Sequence, residues 1–170
     1  MAIDCAYTIE GEGPALFLIH GIGARRATFA ELVEGLKDRF TCIRYDLRGH
    51  GDSEVVTDPT CLGNDSMADD VLMVIDHLDI GSFDLLGVSL GGGIAVVVAA
   101  ESPGLVRSVL LCEAIAFGPE FTAVQDSDGS AGARSMAEKA LYRKRVWANR
   151  EAVKNSYAVS YTHLTLPTKA

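Results

Sequence analysis

Phe83-Asp-Leu-Leu-Gly-Val-Ser89-Leu-Gly-Gly-Gly-Ile-Ala-Val-Val-Val-Ala-Ala-Glu101 is the stretch that decides the fold. Its first six residues form an apolar run of strand length, and Leu90 to Glu101 reads as a buried helix stopped by Pro103-Gly104. Between them Gly87-Val88-Ser89-Leu90-Gly91 matches G-x-S-x-G, set between a strand and a helix as that motif requires. A residue on so sharp a strand-to-helix turn needs small neighbours two before and two after, so that the chains can pass. Ser89 would then project above the C-terminal edge of a sheet, where ligands bind in open α/β folds. Leu90 would begin the helix, with its N–H free to meet an oxyanion. The bland alternative is a tight helix start capped by Ser89, or a phosphate-binding turn.

Working outward, the same alternation repeats. Ala6 to Glu10 reads as a strand closed by Gly11-Glu12-Gly13-Pro14. Ala15 to His20 is a continuous apolar run, as expected of a strand buried on both faces. Phe29 to Leu36 reads as a helix with Phe29, Leu32, Val33 and Leu36 on one face. Thr41 to Tyr45 is a strand, followed by the Gly-rich turn Asp46-Leu47-Arg48-Gly49-His50-Gly51. Met67 to Leu78 is helical with Val71, Val74, Ile75 and Leu78 in register, and Val106 to Cys112 is the last strand. Strands alternating with helices imply parallel pairing through right-handed crossovers, hence an α/β, doubly wound, mostly parallel sheet.

Composition bounds the function classes. The chain has 170 residues, 48% hydrophobic and 22% charged, an ordinary globular mix. Its net charge of −8 argues against a nucleic-acid partner. The charge is uneven: residues 1–133 hold seven basic and twenty-one acidic side chains, and residues 134–170 hold eight and two. The basic part is expected to be a solvated helix face. Cys5, Cys42, Cys61 and Cys112 show no metal-ligand spacing, and Cys42 and Cys112 fall in apolar runs where a thiol acts as a small hydrophobe. No metal or cofactor is implied. The N-terminus lacks the features of a signal peptide, and the longest apolar stretch, Ile94 to Ala100, is too short to span a bilayer, so the expectation is a cytoplasmic protein with no membrane partner. Nothing in the sequence speaks to oligomeric state.

His20-Gly21-Ile22-Gly23 directly follows the second strand. Acyl transfer needs two donors on the developing oxyanion, one from the turn at Ser89 and one from a neighbouring glycine-rich loop. The Ile22 N–H is the candidate for the second. His20, Gly21 and Gly23 are expected to line the substrate site, with His20 tying the loop down rather than acting as base, because the base follows the nucleophile in this architecture.

Three motifs in order, LFLIHGIG, RYDLRGHGDSE and DLLGVSLGGGIAVVVAAESPGLVRSVLL, resemble the N-terminal part of the α/β-hydrolase superfamily, from about Tyr7 to Cys112. Within it the chain looks closest to the esterase, enol-lactonase and carbon–carbon hydrolase group. Dehalogenases and many epoxide hydrolases of the superfamily carry an Asp nucleophile where this chain has Ser89. The resemblance implies a Ser-His-Asp mechanism on a small-molecule ester, lactone or similar carbonyl: Ser89 attacks, the Ile22 and Leu90 amides hold the oxyanion, and water hydrolyses the acyl-enzyme. It implies a chiefly structural role for Asp46 to Ser53, a loop beside the site. His77, in an amphipathic helix, reads as a surface histidine. Glu113 closes the last strand at a place where some members carry the acid; the competing reading has it line the site or meet a cap. A ligand-binding homologue without turnover is the alternative class, and a nucleotide binder ranks last, since no G-x-x-x-x-G-K-[ST] is present.

The expected organisation is residues 1–117 as the N-terminal part of the hydrolase core, 118–158 as a linker and the start of a helical cap, and 159–170 as a non-native tail. Arg134 to Ala158 reads as helical, in two pieces, with Asn149 able to cap the second. After Ser89 the sole histidine is His163, inside Val159-Ser-Tyr-Thr-His-Leu-Thr-Leu-Pro-Thr168. GTC TCT TAT ACA CAT CTG ACG CTG CCG ACG encodes that decapeptide and looks like a sequencing adapter, so His163 is set aside as a base. The sheet is therefore expected to be truncated before its last strands, leaving Val106 to Cys112 as an exposed edge prone to association.

Overall fold

The computed structural model describes residues 4–114, 148–149 and 151–152. The chain divides into two units, Met1–Gly118 and Pro119–Ala170, and the first carries the fold described here. The two helical pieces expected over Arg134 to Ala158 lie outside the described residues except at 148–149 and 151–152, where Asn149 Oδ1 accepts from the Ala152 N–H at 2.9 Å, the capping bond expected of it.

Among the described residues five strands form one sheet: β1 (Tyr7–Glu10), β2 (Ala15–Ile19), β3 (Thr41–Tyr45), β4 (Phe83–Val88) and β5 (Val106–Cys112). Their spatial order is β1-β3-β2-β4-β5, with β1 antiparallel to β3 and every other pairing parallel. Three helices connect them: α1 (Ala30–Leu36), α2 (Asn64–His77) and α3 (Leu90–Glu101).

The continuous apolar runs fill both faces of the sheet. In β2 and β3, Phe17, Ile19, Ile43 and Tyr45 pack with Val71, Ile75, Ile94 and Val98 of α2 and α3. The alternate residues Leu16, Leu18 and Cys42 turn the other way, onto Phe29 and Val33. Phe17 meets Phe83 edge-on at 5.5 Å between ring centres.

Several boundaries differ from expectation. β2 ends at Ile19, because His20 turns its ring into the loop below it. The Phe29 to Leu36 segment is split into a 3-10 turn, Arg26–Phe29, and α1. Leu32 is 40% exposed, off the face that Phe29 and Val33 bury. α2 begins three residues early, at Asn64, with polar residues in its first turn that carry no apolar signal. Cys42 is buried as expected, but Cys112 is exposed, because β5 is an edge strand among the described residues and its burial falls away along its length.

Val109, Leu110 and Leu111 of β5 are exposed among the described residues, beside an unpaired row of backbone groups. An apolar open edge is a template for pairing with another chain. The 170-residue chain is expected to self-associate, and Leu110→Lys to shift it toward monomer in sedimentation velocity. A monodisperse monomer without the substitution would contradict this.

Candidate active site

The strand order sets the site. The chain leaves β2 toward β3 on one side and leaves β4 toward β5 on the other. The crevice between these diverging connections is the topological switch point, where ligands bind in open α/β sheets. Ile19 pairs with Gly87, so β2 and β4 end level and their following loops meet.

Ser89 stands at the end of β4 with φ 54° and ψ −114°, a backbone conformation a side chain rarely adopts. Its hydroxyl makes no cap bond to α3, which removes the reading of Ser89 as a helix cap. Its amide donates to the Cys112 carbonyl at 2.9 Å, and its carbonyl accepts from the Gly92 N–H at 3.0 Å. The turn is thus fastened to β5 and α3 by backbone, and the side chain bonds to none of the described residues.

The two flanking glycines are demanded by contact. A Cβ on Gly91 would overlap the Ile19 carbonyl oxygen and stand 2.6 Å from its carbon. A Cβ on Gly87 would stand 2.6 Å from the Gly92 Cα. Both neighbours are backbone and do not yield as a side-chain tip would. Gly91→Ala is expected to destabilise the fold by about 2–3 kcal/mol, measured as a lower urea midpoint, since overpacking must push α3 off β2.

The loop after β2 reaches this turn. A Cβ on Gly21 would lie 3.2 Å from the Ser89 Cβ and 3.7 Å from its Oγ. His20, Gly21, Ile22, Thr28, Phe29 and Ser89 are among the walls of a cleft of about 240 Å³. No described residue accepts a hydrogen bond from the Ile22 or Leu90 N–H. Gly23, expected among the lining residues, instead donates its N–H to His50 Nε2 at 3.1 Å.

His20 is fully buried and both its nitrogens are engaged. Its Nδ1 lies 2.8 Å from the Gly21 carbonyl, and its Nε2 accepts from the Leu47 N–H at 3.0 Å. A carbonyl on one side and an amide on the other require the neutral ring protonated at Nδ1. Burial lowers its pKa from the ordinary 6.5, with the nearby His50 ring adding to that and the Gly21 bond opposing it. The unfolded chain therefore takes up this proton before the folded one does. The stability that His20 contributes is complete above about 6.5 and is lost as pH falls below it. His20→Gln is expected to flatten the urea midpoint against pH just below that value; an unchanged slope would contradict it.

Sequence reasoning missed the frame behind this loop. Asp46 is fully buried, bonded by the Arg26 guanidinium, by the Arg26 N–H at 2.5 Å and by the Asp52 N–H at 2.9 Å. Burial pushes its carboxyl up, but these bonds outweigh it and hold the pKa below the ordinary value. Arg26 also pairs with Asp52 at 2.7 Å. Behind them Arg48 and Asp70 form a two-pronged ion pair at 2.7 and 2.6 Å, each 2% exposed. The scarcity of basic residues before residue 134 was the available signal: a basic side chain inside an apolar stretch had to find an acid.

Glu113 follows Cys112, whose carbonyl holds Ser89, and is exposed with φ 48°. It stands at the strand end neighbouring the turn, with no hydrogen bond to a described histidine. His77 is exposed on α2 as expected. No group of metal-ligating side chains occurs among the described residues, and no described helix is long and apolar enough to cross a membrane.

The fold, the turn at Ser89 and the glycine loop together define a hydrolase-type scaffold. The chain belongs to the alpha/beta hydrolase fold family, whose model matches residues 14–153. It is 42% identical over 110 residues to a 2-(acetamidomethylene)succinate hydrolase of Mesorhizobium japonicum, covering 65% of this chain and 38% of that protein. The crystal structure of an E-2-(acetamidomethylene)succinate hydrolase superposes with a TM-score of 0.76 at 32% identity, over 94% of this chain and 55% of that one. A malate-bound thermophilic esterase from Thermogutta terrifontis superposes at 0.65 with 28% identity, over 81% and 54%. The chain thus spans about half the length of these solved structures and less of the curated relative.

Proposed function

We propose that Ser89 is the nucleophile of a hydrolase acting on a carboxylic ester, lactone or similar carbonyl through an acyl-enzyme. The observation that carries this is the backbone of Ser89: a strained turn, fastened by its neighbours' backbone, that holds a hydroxyl with no hydrogen-bond partner among the described residues beside a glycine loop. Strain of this kind persists where the surrounding structure over-determines it, which it does at functional sites.

Ser89 Oγ adds to the carbonyl carbon as its proton passes to a histidine base. The new oxyanion sits between the Ile22 and Leu90 amides, and Leu90 adds the positive end of α3. The tetrahedral intermediate collapses, the leaving group takes the proton, and water repeats the sequence to release the acid. Both ring nitrogens of His20 and of His50 are engaged elsewhere and His77 is exposed at the far end of α2, which leaves the base to residues outside the described ones. His163 is set aside with the adapter-like residues 159–170, and the family match stops short of them, at residue 153. Glu113 is the candidate acid among the described residues. The domain reading, core to 117 and cap from 118 to 158, is part of the same proposal.

Arg143, Lys144 and Arg145, which lie outside the described residues, would favour an anionic substrate, and the relative named for a succinate derivative is in keeping with that. The test compares neutral and carboxylate-bearing esters and N-acyl enamines on the product of the full reading frame. A preference for the carboxylates supports an anionic substrate; equal turnover contradicts it. Saturable binding without turnover of any of them would favour the ligand-binding alternative.

A further inference from the structure

We infer that His50 is a positioning residue for the loop that presents the Ile22 amide, and that it acts through Gly23. The inference rests on the hydrolase reading above and adds a residue to it. Gly23 donates its N–H to His50 Nε2 at 3.1 Å, and His50 Nδ1 lies 3.0 Å from the Arg48 carbonyl. The amide must donate and the carbonyl must accept, so the ring is neutral and carries its proton on Nδ1. The Arg48 bond sets the orientation of the ring, and the ring then holds Gly23.

This tie falls where the loop needs one. Residues 21–24 form a tight turn, with the Ala24 N–H on the Gly21 carbonyl at 3.2 Å and Gly23 at φ 71°. Ile22 sits in the middle and is 66% exposed, so packing does not orient its peptide. The direction of its N–H depends on what holds the residues on either side. On one side Gly21 is held by His20, which in turn takes the Leu47 amide. On the other side Gly23 is held by His50. The two rings meet edge-on at 5.3 Å and together lash the loop after β2 to the Gly-rich turn after β3. A donor aimed at a developing charge contributes only when its direction is fixed before the reaction.

The experiment uses the product of the full reading frame labelled with ¹⁵N-glycine. The Gly23 amide resonance is expected to move in His50→Asn, which breaks its hydrogen bond, and to move less in His50→Gln, which keeps an acceptor there. His50→Asn keeps the donor to Arg48 but does not reach Gly23; its kcat is expected to fall about tenfold with KM nearly unchanged, a fraction of the loss on removing an oxyanion donor outright. His50→Gln places a carboxamide oxygen near the Nε2 position and is expected to restore kcat. Thermal melts of both variants separate misfolding from misplacement. A Gly23 resonance indifferent to His50, or full kcat in a folded His50→Asn, overturns the inference. An unsubstituted protein with no turnover, in which Gly23 still tracks His50, would overturn the hydrolase reading and leave the tie standing.

Discussion

Replacing Ser89 by alanine is expected to lower kcat by on the order of 10⁶-fold in the full-reading-frame product, the scale seen when a serine hydrolase loses its nucleophile. Binding should persist, because the walls of the cleft come from His20, Gly21, Ile22 and Phe29 and the variant removes one oxygen. The fold should persist as well. Ser89 Oγ makes no cap bond, and the turn is fastened by the Cys112 carbonyl and the Gly92 amide, which the variant keeps. The loss is therefore expected in kcat, with a melting temperature near that of the unsubstituted protein. A variant keeping more than a hundredth of the activity would contradict a nucleophilic role.

The largest expected effect on stability lies behind the site. Asp70→Ala removes one half of the Arg48–Asp70 pair, both members of which are 2% exposed. Arg48 would keep its Nη1 bond to the Cys61 carbonyl at 2.9 Å and lose both bonds to the carboxylate. An uncompensated charge is then left inside the fold, which costs about 3–5 kcal/mol, more than the net worth of the intact pair. Tyr45, fully buried with an unpartnered hydroxyl, and Cys5, whose thiol is pushed up to about 12 chiefly by burial, offer the guanidinium no replacement anion. The urea midpoint should fall accordingly. A double change of Arg48 and Asp70 to apolar residues of similar size should be milder than Asp70→Ala alone, and equal losses would argue that the pair's geometry rather than its charge carries the effect.

The strand and helix pattern was legible because the interior is apolar on both faces. Phe83–Val88, Leu90–Glu101, Thr41–Tyr45 and Val106–Cys112 appear with the limits their apolar runs suggest. The order of the strands needed more than the pattern, since pairing across β2 is not written in any one segment. Errors came where polar residues do structural work. Asn64 to Ser66 open α2 without an apolar face, and His20 ends β2 because its ring is needed below. Leu32 and Cys112 look like core residues locally and are exposed because of what their elements pack against.

The candidate site was legible in part for the same reason. Gly87, Ser89 and Gly91 form a motif because backbone contact dictates their spacing. His50 and Gly23, or Arg26 and Asp46, are brought together by the fold from separate segments, and no spacing in the sequence announces either pair.

The most direct test of the central claim is covalent. The product of the full reading frame is treated with a fluorophosphonate, and the adduct is located by peptide mass spectrometry beside a Ser89→Ala control. A single adduct on Ser89, absent from the control, is the predicted result. No adduct, or an adduct that persists in the control, would contradict the assignment of Ser89 as the nucleophile.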